Sequence, residues 1–276
     1  MTTVINTNVP AIIAKSNMDR VQRELESSIN KLSSGQRINK AADDAAGMAV
    51  ANRMESQIRG LTMAIRHGKD GQNLVDTADG AQIEISNMLQ RLRELAVQAV
   101  NDTNGSTDRT YLQAEVTSLL NEIDRVSTQT VYNNKVLLDG SLNGKIQVGT
   151  EAGQDISFSI DSIGTDSIGD GVSMLDSIDV TTSADASAAL DTISGAIEQV
   201  AGQRASYGAM QNRLEYTVSN LLNVAEFTTA ARSRIEDADF AGESARLSKA
   251  QVLQQTGTAM LAQANAASQL ALQLIR

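Results

Sequence analysis

Residues 32–47 read Leu32-Ser-Ser-Gly-Gln-Arg-Ile-Asn-Lys-Ala-Ala-Asp-Asp-Ala-Ala-Gly47. One helical pattern closes at Leu32. Gly35 comes next, the residue type that most readily takes the left-handed conformation ending a helix. Asp43 and Asp44 then stand where carboxylates suit the positive N-terminal end of a second helix. The stretch reads as a break and a restart between two helices.

On both sides the apolar residues recur in alternating steps of three and four. Before the break the seam is Met18, Val21, Leu25, Ser28 and Leu32. After it come Met54, Ile58, Leu61 and Ile65, then Ala78, Ala81, Ile85, Met88, Leu92, Leu95 and Ala99. A helix over 44–100 would be about 85 Å long at about 1.5 Å per residue. Residues 101–107 form a polar turn, and Leu112, Val116, Leu119, Ile123 and Val126 mark a third helix. So short a connection predicts an antiparallel hairpin. Residues 145–149 and 155–160 alternate with period two, which predicts a β-hairpin. Residues 161–186 are rich in Gly, Ser, Thr and Asp and read as turns. The longest seam runs from Leu190 through Ile193, Ile197, Val200, Arg204, Tyr207, Gln211, Leu214, Val218 and Leu221 to Ala225. Its polar members, Arg204 and Gln211, suit register-fixing positions. A final helix carries Ala250, Leu253, Gly257, Met260, Ala264, Ala267, Ala271 and Leu274. That seam is mostly small, so a partner helix can approach closely.

Composition limits the function classes. Of 276 residues only 3% are aromatic, and the four Tyr and three Phe all fall between Tyr111 and Phe240. Such a chain suits packed helices better than an enzyme core built on aromatic anchors. The absence of Cys excludes disulfides and thiolate metal sites. No stretch reaches the roughly 18 apolar residues of a membrane span. The N-terminus has no basic and apolar leader pattern. The net charge is −10, and residues 136–200, with one basic and 11 acidic residues, carry all of that excess. This centre is expected to face solvent, with the near-neutral ends left to assemble. The first and last helices are narrow amphipaths, marginal alone, and are expected to order by packing against neighbours.

Chemical motifs are sparse. His67 is the one histidine, so no two-histidine metal site exists. Gly60, Gly68, Gly71 and Gly80 lack the Lys-Ser/Thr ending of a phosphate loop. Asp43–Asp44 and Glu236, Asp237 and Asp239 read as helix-start carboxylates. An acidic chain without a basic stripe does not suit nucleic acid. Asn101-Asp-Thr103 and Asn104-Gly-Ser106 match the N-glycosylation pattern only formally, without a leader.

The string 32–47, together with Ala-Arg-Ser-Arg-Ile-Glu-Asp at 231–237 and the run from Ala250-Gln-Val-Leu-Gln-Gln-Thr-Gly257 to Leu261-Ala-Gln-Ala-Asn265, resembles the two terminal regions of bacterial flagellin. The resemblance covers about 1–135 and 187–276. It departs at Ser268, where the family usually has Pro, and at Pro10. It implies a mainly α fold: a long antiparallel coiled-coil rod with a small β-hairpin region and the two termini paired as coiled coil. It implies an inner terminal domain of 1–42 with 236–276, and a rod domain of 43–235 holding the hairpin and an acidic turn-rich region at about 140–186. The large outer domains of many flagellins are missing. The inner-core assembly seam would comprise Met18, Val21, Leu25, Leu32, Leu253, Met260, Ala264, Ala267, Ala271 and Leu274.

The function implied by the resemblance is that of a structural subunit polymerising helically into the flagellar filament, with no catalytic, metal or cofactor site. The family implies export unfolded by the flagellar type III system without a cleaved signal peptide, and an extracellular filament. Implied partners are other copies of the chain, an export chaperone, the filament cap and hook–filament junction proteins, with no nucleic acid and no membrane insertion. The string Leu89-Gln-Arg-Leu-Arg-Glu-Leu-Ala-Val-Gln98 also resembles the segment recognised by the host Toll-like receptor 5. The family's receptor-contacting residues fall on Arg91, Leu95 and Glu115. A hook–filament junction protein, with similar ends, is the rival within this class. A helical signalling module would need a membrane span or partner domain, and an enzyme a convergent polar site.

Overall fold

The computed structural model describes residues 7–273, with the side chains of 268–273 excepted. The elements in chain order are α1 (Val9–Ser34), α2 (Ala45–Val100), α3 (Ser106–Gln129), β1 (Val131–Tyr132), β2 (Lys135–Val136), β3 (Asn143–Gln147), β4 (Asp155–Ser159), α4 (Ser183–Glu236) and α5 (Phe240–Gln273). They fall into two compact units, Met1–Ile58 with Glu226–Arg276, and Arg59–Ala225. These limits lie deeper than the expected divisions after 42 and 235. Helices α2 and α4 run unbroken through the division, so no turn residue in the sequence marks it.

In the first unit, the Asn8 side chain caps α1 by accepting from Ala11 N at 3.1 Å, and Pro10 lies in the first turn. Proline is tolerated there because the missing N–H would have no intrahelical partner. Gly35 ends the helix at φ 72°, with its N–H on Lys31 O at 2.9 Å. Asp44 then accepts from Gly47 N at 2.8 Å as α2 begins. Asp43 accepts from the Asn39 and Lys40 N–H groups at 3.0 and 2.9 Å. These two backbone bonds, that from Lys40 foremost, hold its carboxyl below the usual range. Arg37 reaches across to the end of α4. Its guanidinium donates to Ile235 O at 2.6 Å, and its backbone N–H donates to Glu236 O at 2.7 Å. A cation at those last carbonyls satisfies orphan acceptors and suits the helix dipole.

In the second unit α2 and α4 lie antiparallel, pinned by a ladder of polar pairs. Gln82 Nε2 donates to Gln203 Oε1 at 2.9 Å and to the Tyr207 hydroxyl at 3.1 Å. Arg204 meets Asp79 at 2.8 Å, and Gln211 donates to Asp76 at 2.7 Å. The two polar interruptions in the long seam therefore sit opposite carboxylates of α2. The core between them includes the fully buried Ile85, Leu89, Leu92, Leu95, Ile123 and Ile193. Each such side chain contributes about 1.5–3 kcal/mol by leaving water.

Two small antiparallel sheets complete this unit. β3 and β4 pair with Ile146 opposite Ile156, and β3 begins two residues earlier than the alternation predicts. β1 and β2 pair around Asn133 and Asn134, at φ 49° and 62°. Asparagine tolerates this left-handed region better than most residues, and the tight turn needs it. The Asn-Asn pair between Val-Tyr and Lys-Val is the local signal for this hairpin, which period-two alternation passes over because each strand is only two residues long.

The acidic centre departs from expectation. Of the expected turn region 161–186, residues 161–182 are turns and irregular backbone, apart from an isolated bridge between Gly169 and Met174 and a 3-10 turn at Leu175–Ser177, whereas 183–186 open α4. Yet Ile160, Ile163, Ile168, Leu175, Ile178 and Val180 are buried in the main core. Between them Asp166, Asp170, Asp176 and Asp179 face solvent, as do Val172 and Met174. The charge count sees the carboxylates but not the aliphatic residues interleaved with them. Asp124 on α3 anchors the segment by accepting from Thr165 N and Oγ1 at 2.8 and 2.9 Å. Gly195 on α4 lets it approach closely, since a Cβ there would come within 2.6 Å of Asp170 Cα.

Candidate recognition and assembly surfaces

The first surface is built where α2 turns into α3. Arg109 caps the end of α2, its Nε donating to Ala99 O at 2.8 Å, and Asn104 Nδ2 donates to Gln98 O at 2.6 Å. Asp108 accepts from Gly105 N at 3.1 Å and opens α3. This tight, well-bonded turn sets α3 alongside α2. Arg91 then lies against Glu115: Nε donates to Glu115 Oε1 at 2.9 Å, while Nη1 reaches Glu94 Oε2 at 2.9 Å. The hydrogen bonds that Arg91 donates to Glu94 and Glu115 raise its pKa above its ordinary value. All three side chains remain about half exposed or more, at 50, 68 and 44%. A pair so open to water adds little to stability. Its main property is a held guanidinium facing outward.

Leu95 is not part of that surface. It is 1% exposed and belongs to the main core. Arg91 and Leu95 are i and i+4, but the shared side of the helix is wide. Arg91 stands at its solvent edge and Leu95 points into the core. Of the three expected residues the structure thus exposes Arg91 and Glu115 together and buries Leu95, and it adds Glu94 as a neighbour that sequence spacing does not single out.

The second surface is the pairing of α1 with α5. Ser28 Oγ donates to Glu243 at 2.7 Å, Gln254 donates to Gln22 at 3.1 Å, and Asn8 Nδ2 donates to Ala264 O at 3.0 Å. These contacts make the two helices antiparallel. On α1 the inward line is Ala11, Ala14, Met18, Val21, Leu25, Ser28 and Leu32, and this includes every α1 residue of the expected seam. On α5 the inward line is Glu243, Leu247, Ala250, Gln254, Gly257, Leu261 and Ala264.

The expected α5 residues divide between two faces of the helix. Ala250, Gly257 and Ala264 face α1 as expected, but Leu253 and Met260 do not, being 40 and 64% exposed. Ala267 is exposed as well. From each small residue the sequence offers a step of three or a step of four, and apolarity favours the step of three. The structure takes the step of four, through Gln254 and Leu261. Gln254 is held there by its hydrogen bond to Gln22 on α1, and Gly257 lies on the seam under either step. Met18 Sδ would lie 3.5 Å from a Cβ placed there, so the thioether fills the space under the glycine. The side chain of Ala271 and all of Leu274 lie outside the described residues.

Among the described residues no group of three or more His, Asp or Glu side chains is placed to hold a metal, and no helix is long and apolar enough to cross a membrane.

Comparison with known proteins agrees with this architecture. Residues 5–143 match the model of the bacterial flagellin N-terminal helical region, and residues 190–275 match that of the C-terminal helical region. The chain is 42% identical to a flagellin of Halalkalibacterium halodurans over 99% of this chain and 100% of that one. It is 41% identical to a flagellin of Bacillus subtilis over 99% of both. A solved structure described as a flagellar hook-associated protein of Vibrio parahaemolyticus has a TM-score of 0.62 at 13% identity, covering 71% of this chain and 100% of that one, a likeness of fold alone.

Proposed function

Because this chain belongs to the bacterial flagellin family, it is a structural subunit of the flagellar filament, and we propose that it assembles through the outer faces of the paired helices α1 and α5. The observation that carries this reading is the apolar surface left after pairing. Val9, Ile12 and Ile13 on α1 and Val252, Leu253 and Met260 on α5 are 40–64% exposed. Two helices paired with each other, with apolar residues still facing water, gain most by packing against further copies. Leu253 and Met260 thus keep a place in the assembly surface, facing outward. Residues 1–42 and 236–276 would form the inner wall of the filament, and 43–235 its outer rod.

Family membership supports the finer points of the reading. The chain is exported unfolded through the flagellar type III apparatus without a cleaved signal peptide and works outside the cell. Its partners on that route are an export chaperone, the filament cap and the hook–filament junction proteins. It performs no catalysis; its one histidine, His67, has no second histidine to work with. A shed monomer is recognised by Toll-like receptor 5 through Arg91 and Glu115.

The test is seeded growth of the purified chain, followed by electron microscopy. Long filaments are expected from the whole chain and none from chains lacking 1–35 or 241–276. Short rings from the whole chain would instead indicate a junction protein.

A further inference from the structure

The chain has two Asn-Gly pairs, Asn104-Gly105 and Asn143-Gly144. In such a pair the glycine's backbone nitrogen can attack the asparagine's side-chain carbonyl carbon, because no Cβ shields it. The structure treats the two pairs differently. Gly144 lies inside the β3–β4 pairing opposite Phe158, and a Cβ there would come within 2.8 Å of the Phe158 ring. A nitrogen fixed in a paired strand is not free to swing onto the preceding side chain. Asn104 and Gly105 lie in the turn between α2 and α3, and Gly105 is exposed. Its carbonyl is held by α3, accepting from Arg109 N at 3.1 Å, but its own N–H has no acceptor within the helix. That N–H donates instead to a side chain, Asp108 Oδ2, at 3.1 Å.

We propose that Asn104 is a site of spontaneous self-modification, converted within its own turn to aspartate and isoaspartate. The bond from Gly105 N to Asn104 Cγ forms, and the Cγ–Nδ2 bond breaks. The Asp108 carboxylate receives the proton lost by Gly105 N and returns it, directly or through water, to the departing nitrogen, which leaves as ammonia. Water then opens the cyclic imide at either carbonyl carbon, breaking one C–N bond. The product is aspartate or, where the main chain now runs through the side chain, isoaspartate. Water is the only co-reactant, and nothing is oxidised or reduced.

The change undoes a contact that holds the turn. Asn104 Nδ2 donates to Gln98 O at 2.6 Å and so satisfies one of the last carbonyls of α2. A carboxylate in its place cannot donate, and it sets a negative charge beside the negative end of the helix dipole. Isoaspartate also lengthens the backbone between the two helices. The turn sets α3 alongside α2, so the ageing of Asn104 loosens the hairpin from this end.

Incubation of the full chain in mildly alkaline buffer, followed by tryptic digestion and mass spectrometry, tests the proposal. The fragments 94–109 and 136–145 report the two sites separately. In the folded chain, aspartate and isoaspartate at 104 are expected to accumulate at least about tenfold faster than at 143, a difference of about 1.4 kcal/mol in barrier. In urea the two rates are expected to converge, because the strand pairing that protects 143 is gone. Gly105→Ala is expected to slow the reaction at 104 by about tenfold or more and to keep its helix content, since a Cβ there meets only Asp108, with Oδ2 at 3.4 Å. Asp108→Asn, with a weaker proton acceptor in the same place, is expected to slow it about threefold or more. Asn104→Asp imitates one product and is expected to quicken hydrogen exchange in the last turn of α2. Equal rates at 104 and 143 in the folded chain overturn the site. An unchanged or faster rate in Asp108→Asn overturns the part given to Asp108, and unchanged exchange in Asn104→Asp overturns the loosening of the turn.

Discussion

Ser28 on α1 and Glu243 on α5 meet at 2.7 Å across the terminal helix pair, with 4 and 8% of their surfaces exposed. The chain joins residues 215 positions apart through this bond, in a seam otherwise made mostly of small and aliphatic side chains. A slip by one turn would strand a buried carboxylate. The pair therefore sets register where shape alone would leave it loose.

Ser28→Ala removes the donor and leaves Glu243 with Arg246 at 3.4 Å. The expected cost is about 1–3 kcal/mol, because the carboxylate stays buried. Hydrogen exchange should quicken in α1 and α5 and stay slow in the Leu92 and Ile123 core. Equal quickening in both would show that Ser28 acts through the whole chain.

Leu247 and Met260 distinguish the two sides of α5. Leu247→Asp places a charge in the α1 contact and should melt α1 and α5 in the monomer, seen as lost helical circular dichroism. Met260→Asp, on the open side, should leave the monomer spectrum unchanged and stop seeded growth. Normal filaments from Met260→Asp would refute the outward assembly face.

Arg91, Glu115 and Leu95 should behave as two classes. Arg91→Ala and Glu115→Ala are each expected to leave the melting temperature almost unchanged. In a receptor reporter assay with folded monomers both should weaken activation. Leu95→Asp buries an unpaired carboxylate in the core and should cost about 4 kcal/mol or more, lowering the melting temperature sharply. Full receptor activation by the Arg91→Ala, Glu115→Ala double variant would remove the proposed recognition site.

Tyr207 predicts the alkaline limit of the second unit. Burial, with Asp161 and Asp79 nearby, pushes its hydroxyl well above the ordinary value of 10.0, against a smaller opposing effect of the Gln82 hydrogen bond. The raised value makes ionisation favour the unfolded chain. Stability is thus complete below about pH 10 and falls above it, by about 1.4 kcal/mol per pH unit until the folded value is reached. Thermal melts from about pH 9 to 11 should show this slope in the wild type and a shallower one in Tyr207→Phe. Identical slopes would assign the alkaline loss to other groups.

Much of the architecture is legible in the residues. Gly35, Asp44, the polar turn at 101–107 and the alternating rhythm of α1, α2, α3 and α4 place the helices, because caps and periodicity are local properties. The family strings at both ends identify the kind of protein. The α5 seam is not legible: after each small residue a step of three and a step of four are both available, and α1, whose Gln22 bonds Gln254, decides between them from the far end of the chain. Leu95 cannot be separated from Arg91 by spacing, since which edge of a helix meets water depends on where its neighbours lie. The aliphatic residues of 160–180 are hidden by their charged neighbours until the core encloses them. Sequence alone thus determined which stretches form helices and which family they belong to. The tertiary structure decided which face of each helix is inside, because burial is a relation between segments far apart in the chain.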